Sequence, residues 1–283
     1  MTNRGGKSRN ALVEIANRLK ADLAELIAAT EAAPPTTTAR KKLDTELREL
    51  VEGMDTFLRE LDPVRQPRFM FDPGNPAVVG RFIALAMISQ PRMNLTQIER
   101  FYGSGVYALY YNGGFPAYGP IKGTETPIYV GKADPQADTA RLPIEQGERL
   151  YGRLRDHNRN IRKAKDTLNI EDFEYRSLVV QSGWQSAAED YLIRLFMPIW
   201  NNETGICYGL GKHGDDPNTR ANLRSPWDTV HPGRDWAWRD PNMGDAKPHK
   251  QIIGDLGRHF ATEDVYTDLD QVLRGFIEEL KQL

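Results

Sequence analysis

GVYALYY, residues 105–111, and TPIYVGKA, residues 126–133, decide the reading of this chain. Both runs are rich in β-branched and aromatic residues, which suit a pleated and largely buried strand. Each carries a triplet of small, aliphatic and aromatic residues: Gly105-Val106-Tyr107 in the first and Tyr129-Val130-Gly131 in the second. A Gly/Pro-rich insertion, 112–127, lies between them.

Outward from this pair, residues 145–168 read as a basic helix. Seven cations between Arg149 and Lys165 face a single acid, Asp156. Arg153 and His157 are four apart, so they share one face of it. FEYRSLVVQ, 173–181, alternates as a third strand. Residues 186–196 form an amphipathic helix carrying Glu189 and ended by Pro198, and Asn201 follows. Upstream, Asn75 and Pro76 are a capping residue and a first-turn proline for an apolar helix that ends before Pro91. Residues 95–101 read as a short helix leading into the first strand.

The N-terminus is predicted as two amphipathic helices, 8–32 and 38–60, interrupted at Pro34-Pro35. One carries Leu12, Ile15, Leu19, Leu23 and Leu26 in a stripe, the other Leu43, Leu47, Leu50, Met54 and Phe57. One stripe on each packs them as an antiparallel hairpin. The hairpin is then either a structural appendage or, through surplus apolar surface, a dimerisation element. After Asn202 the texture becomes Gly, Pro, Asp, Asn and Trp through about Asp240, and residues 251–283 read as acidic helices. The expected division is a hairpin over 1–66, a central domain over 67–204, and a C-terminal extension over 205–283 that contacts the substrate and ends in an acidic tail.

A chain of 283 residues with 40% hydrophobic and 27% charged residues is an ordinary soluble composition. The net charge of −2 hides the basic helix and a tail of opposite sign. Cys207 is the lone cysteine, which excludes an internal disulfide and fits a reducing cytoplasm. No stretch approaches a membrane span, and MTNRGGKSRN has no apolar core for a secretion signal. Cys207, His213, His231 and His249 lack the spacing of a zinc site. Gly209-Leu210-Gly211-Lys212-His213 lacks the context of a phosphate loop.

Two tyrosines in adjacent strands, an arginine, a single acid and an asparagine, in that order, resemble the GIY-YIG nuclease site. Both triplets carry Val for Ile. With the flanks FDPGNPAVVGRFIALAMISQPR, FYGSGVYALYY, PIYVGKA, LYGRLRDH and GLGKHGDDPNTRANLRSPWDTVHPGRDWAW, the chain resembles the GIY-YIG type II restriction endonucleases that cut CCGCGG. The similarity covers roughly residues 70–240. It implies a mixed α/β fold: a small antiparallel three-stranded sheet flanked by helices, with the hairpin and C-terminal extension appended.

The resemblance also implies roles. Glu189 is the metal ligand, holding one Mg2+ that keeps most of its waters. Arg153 binds phosphate through its fixed fork of donors. Tyr107 is the candidate base, with His157 as the neighbour that takes its proton or itself acts first. Tyr129 holds the water or a phosphate oxygen, Lys132 adds positive charge, and Asn201 fixes the glutamate end or contacts backbone. Double-stranded DNA is the substrate. A palindrome calls for a two-fold protein, a homodimer or a tetramer, and a cognate methyltransferase protects the bacterial host. Arg149, Arg155 and Arg159 are candidate DNA contacts. Arg220, Arg224 and Arg234 are candidate guanine readers in the major groove. The rival readings are a structure-directed GIY-YIG nuclease of repair or recombination, and an inactive DNA-binding relative.

Overall fold

A computed structural model describes residues 5–61, 64, 71–211, 223–240 and 242–280. The chain divides into two compact units between residues 70 and 71. The first holds α1 (Gly5–Ala32) and α2 (Thr37–Leu61), separated where Pro34 and Pro35 stop helix propagation. Their stripes bury one another only near the turn, where Leu26, Leu43 and Leu47 are half-buried. Leu12 and Leu19 of α1 are 64% and 45% exposed, and Leu50, Phe57 and Leu61 of α2 are 48%, 58% and 59% exposed. The expected closed pairing of the two stripes is corrected accordingly.

The second unit opens with α3 (Pro76–Ile88). The Asn75 side chain accepts a hydrogen bond from the Ala77 amide at 2.9 Å, capping the helix as its sequence predicts. There follow β1 (Met93–Asn94), β2 (Gly105–Tyr111), β3 (Tyr129–Ala133), α4 (Pro143–Gln146), α5 (Arg149–Lys163), β4 (Phe173–Val179) and α6 (Gln185–Phe196). The sheet is antiparallel throughout in the order β1-β4-β2-β3, so it has four strands where three were expected. The extra strand is two residues long, too short for an alternating pattern. Residues 95–101 are not helical. The Asn94 carboxamide accepts from the Thr96 amide at 2.8 Å, and the Leu95 amide donates to the Phe173 carbonyl at 2.9 Å, which turns the chain along the sheet.

All seven residues of β2 are buried, because helices cover both sides of it. Tyr107, Leu109 and Tyr111 face one way, into a core with Leu150, Leu154 and Ile161 of α5. Val106, Ala108 and Tyr110 face the other, against α3 and α6 through Ala84, Met87, Leu192 and Phe196. The α3–α6 contact is close: a Cβ on Gly80 would lie 2.5 Å from the Ala187 carbonyl oxygen.

The 112–127 insertion is packed structure. A single 3-10 turn, Pro116–Ile121, buries Tyr118 and Ile121. The C-terminal segment adds β5 (Leu223–Arg224), α7 (Pro226–Val230), α8 (Asp235–Trp238), β6 (Gly244–Asp245), α9 (His249–Thr262) and α10 (Leu269–Leu280), with β5 and β6 paired in parallel. Ile252 and Leu256 of α9 join the core on the α5 side, and Val272 and Phe276 of α10 join the α3–α6 side. The acidic tail is therefore core-forming on one face. Among the described residues no helix is long and apolar enough to cross a membrane.

Candidate active site

Register places both triplet tyrosines on one face. Tyr107 lies opposite Gly131 and Leu109 opposite Tyr129, so the two aromatic rings are diagonal neighbours with centroids 6.1 Å apart. The glycines of the triplets follow from close approach. A Cβ on Gly131 would stand 2.6 Å from the Tyr107 hydroxyl and 2.9 Å from the Tyr129 ring, so the Tyr107 side chain needs bare backbone beneath it. Gly105 has φ +153°, and a Cβ there would meet the Leu178 carbonyl oxygen at 2.0 Å.

On α5, Leu150, Leu154, His157 and Ile161 repeat at helical intervals and turn inward. His157 is 2% exposed, and its Nε2 lies 2.7 Å from the Tyr107 hydroxyl. Its Nδ1 is buried with no hydrogen-bond partner among the described residues. Burial first, and the Arg153 guanidinium next, push the imidazole down to about 3, so it is neutral at physiological pH. Burial also raises Tyr107 well above the usual phenol range. The neighbouring Tyr129 adds to that shift and Arg153 opposes it. Tyr129 is raised for the same leading reason. The four side chains thus form one cluster in which a guanidinium is the fixed positive charge.

Glu189 comes from α6. Its carboxylate is 3.5 Å from the Lys132 ammonium, which also donates to the Ser186 hydroxyl at 2.7 Å. Burial raises the Glu189 carboxyl, and the Lys132 charge opposes the shift. Lys132, Asp134, Arg149, Arg153 and Glu189 line an open cleft of about 490 Å3 beside the free edge of β3. Asn201, 5% exposed, accepts from the Val130 amide and donates to the Val130 carbonyl, both at 2.9 Å. Its carboxamide takes the place of a missing strand partner and pins β3 between Tyr129 and Gly131.

The remaining arginines part company. Arg149 lines the cleft and donates to the Asp134 carbonyl, while Arg155 and Arg159 face solvent. Arg220 falls outside the described residues. Arg224 and Arg234 are not presented for base reading. Arg224 is 8% exposed, paired with Asp245 at 2.9 Å and laid over Trp238. Arg234 is 1% exposed. It meets the Asp228 carboxylate through Nε and Nη2 at 2.6 and 2.7 Å and donates to the Leu210 and Gly209 carbonyls. Both hold the C-terminal segment together.

Sequence reasoning passed over Ser186 and Asp134. Ser186 sits one helical turn before Glu189, a spacing that could have flagged it; Asp134 follows the second triplet by three residues. A second buried tyrosine–histidine contact, Tyr118 to His231 at 2.6 Å, had no local signal, since its members are 113 residues apart.

An arginine, a lysine and a carboxylate on one open cleft, with a tyrosine–histidine cluster in electrostatic contact with the arginine, suit the binding and attack of a phosphodiester. No curated protein matches the chain. Residues 99–260, more than half of its length, match the family model described as the Eco29kI GIY-YIG domain, and the protein belongs to that family of DNA-cutting restriction endonucleases.

Proposed function

We propose that the protein is a divalent-metal-dependent type II restriction endonuclease that cuts both strands of a palindrome in double-stranded DNA, and that the site is CCGCGG. The observation that carries the nuclease chemistry is the arrangement of Lys132, Arg153 and Glu189 on one cleft, with Tyr107, Tyr129 and His157 coupled to Arg153; the CCGCGG site rests on the resemblance of the flanking segments. The reading adds a homodimer, each copy serving one strand, and a partner methyltransferase in a bacterial cytoplasm.

Among the described residues no cluster of three or more His, Cys, Asp or Glu side chains could ligate a metal. A lone, partly buried carboxylate at an open cleft instead fits a hard ion that keeps most of its waters, as Mg2+ does. Glu189 would hold it. A bound ion would supply positive charge to offset the negative charge developing on the phosphoryl group and the leaving oxygen.

The protein's own groups do the rest. Arg153 receives the non-bridging oxygens as charge accumulates on phosphorus, and its charge does not titrate away. A neutral His157 has one N–H. Placed on Nδ1 it would be an orphan donor; placed on Nε2 it donates to the Tyr107 oxygen and leaves an orphan lone pair, which is cheaper to bury. In that tautomer Tyr107 turns its own O–H toward the attacking water. The phenol proton leaves to solvent before attack, the phenolate that remains is held by two donors, His157 and Arg153, and it takes the proton of the attacking water; Tyr107 is then the base and His157 its support. Tyr129 orients the water, Lys132 holds Glu189 between encounters, and Asn201 keeps β3 in register. The products carry 5′-phosphate and 3′-hydroxyl ends.

The test is digestion of a sequenced, unmethylated plasmid with Mg2+, followed by mapping of the ends. Discrete ends within CCGCGG are expected. Ends at another palindrome overturn the specificity and keep the nuclease; cutting confined to branched or damaged DNA overturns the restriction reading.

A further inference from the structure

We infer that the first unit is a self-association module, in which a second copy of this chain closes an antiparallel four-helix bundle with α1 and α2. This names the surface for the homodimer read above, and its test does not depend on cleavage.

Width of the apolar face comes first. On α2, Leu43, Leu47, Leu50, Met54, Phe57 and Leu61 follow one another by 4, 3, 4, 3 and 4 residues, the a/d seam of a coiled coil. Val51 and Leu58 add the adjoining e positions and are 64% and 63% exposed. An a/d/e face is the broad stripe of a bundle helix, wider than one neighbouring helix covers. Even a fully closed α1–α2 pair would leave the e row bare.

Area is sufficient. Twelve large apolar side chains of α1 and α2 are 40% to 64% exposed. They present on the order of 1,000 Å2 per copy, beside ~800 Å2 per partner in a stable interface. Helices whose apolar faces stay in water gain little of the packing that normally sustains them.

Charge identifies the occupant. Arg40 and Lys42 sit near the start of α2, Glu46 and Glu49 near its middle, Glu52 and Glu60 in its second half, and none makes an ion pair among the described residues. This order opposes the macrodipole of α2 itself, which favours acids first and bases last. On α1 the order is weaker: Glu14 precedes Arg18 and Lys20 at mid-helix, and Asp22, Glu25 and Glu31 follow them. When antiparallel helices of this kind lie side by side, each basic end meets an acidic end. A parallel copy would set like against like. A membrane surface would ask for cations along the whole polar face, and here half of it is acidic.

Sedimentation of the full chain across a concentration range tests the inference. The wild type is expected to be a dimer, and Val51→Glu with Leu58→Glu to be a monomer. Both positions are exposed within one copy, so unchanged far-ultraviolet dichroism would show that the variant still folds. A wild type that is monomeric throughout, or a double variant that stays dimeric, overturns the inference. Arg40→Glu with Lys42→Glu leaves the stripe intact and is expected to weaken the dimer about tenfold, a few screened ion pairs' worth. An unchanged dissociation constant overturns the antiparallel arrangement. A dimer that cuts nothing would sink the nuclease reading alone, and a monomer that cuts would sink this one alone.

Discussion

Two buried tyrosine–histidine pairs stand in the second unit, and they differ in how completely they are satisfied. Tyr107 and His157 meet at 2.7 Å, Tyr118 and His231 at 2.6 Å. Burial drives both histidines down to about 3 and both tyrosines well above the usual range. Around Tyr118 the valences are closed. Its hydroxyl accepts from the Trp200 indole N–H at 2.9 Å, and His231 Nδ1 bonds the Thr167 hydroxyl at 2.9 Å. Around Tyr107 one valence is open at His157 Nδ1, and the arginine coupled to the pair lines a cleft. On the proposed mechanism the same two residue types serve as a clamp in one place and as chemistry in the other. Completeness of hydrogen bonding and access to solvent separate the two, since identity and burial do not.

The largest effect is expected outside both pairs. Glu189→Gln keeps the shape of the cleft and removes the charge proposed to hold the cation, so cleavage should fall about a thousandfold or more while DNA binding persists. Single-turnover cleavage beside a binding titration checks it. Retained cutting would remove Glu189 from the chemistry and leave the tyrosine–histidine cluster to explain catalysis unaided.

Removal of one hydroxyl from each pair breaks the comparison directly. Tyr107→Phe should lower the cleavage rate by roughly 100- to 10,000-fold, the range of acid–base assistance, and cost about 2 kcal/mol of stability because His157 Nε2 and Arg153 each lose a partner. Tyr118→Phe strands both the Trp200 N–H and His231 Nε2, so it should cost about 3 kcal/mol and leave the rate per folded molecule unchanged. Urea titration and single-turnover kinetics on the two variants read both axes. If the two losses fall on the same axis, the division into clamp and chemistry is wrong.

A pH–rate profile sharpens which member of the first pair takes the proton. With Tyr107 raised above the ordinary phenol range, a phenolate base gives a rate that climbs about tenfold per pH unit through pH 9 without levelling. A histidine base held near 3 would already be fully deprotonated at pH 5, and the rate would be flat above it. The slope assigns the role.

The two pairs were unequally legible before any coordinates. Tyr107 and Tyr129 stood out because strand period and the adjacent glycine mark them within three residues. His157 followed, because helical spacing put it on one face with Arg153, though spacing did not say that this face turns inward at His157. Of the two roles open for Asn201, fixing the glutamate end or contacting backbone, its bonds to Val130 match the second, though nothing local says which backbone, 71 residues away. Tyr118 lay in a Gly/Pro-rich stretch that reads as a loop, and nothing local says that it is anchored by His231 and Trp200. Arg224 and Arg234 misled for a related reason. A cation in an irregular segment reads as a surface contact until Asp245 and Asp228 are seen opposite them. Non-local polar pairing is the part of the fold that sequence period does not encode.

The smallest effect should be the same in both pairs, and for that reason it isolates what burial alone does. Each histidine has an ordinary value of 6.5 and a folded value of about 3. Between those limits the unfolded chain takes up a proton at each site and the folded chain does not. This contribution to stability is therefore fully present above pH 6.5 and is lost as pH falls toward 3, by roughly 2 kcal/mol per histidine at pH 5. Secondary influences differ: Arg153 and Arg234 repel a charged His157, while His249 repels a charged His231. Burial is the leading cause for both, so His157→Gln and His231→Gln should each flatten the slope of unfolding free energy between pH 4 and 6 by about 1.4 kcal/mol per pH unit, one proton's worth. Denaturant titrations at several pH values measure it without reference to absolute stability. A much smaller change for His157 would mean that its environment is wetter than a sealed pair allows, and the open valence at Nδ1 would then be a route for water to the Tyr107 oxygen.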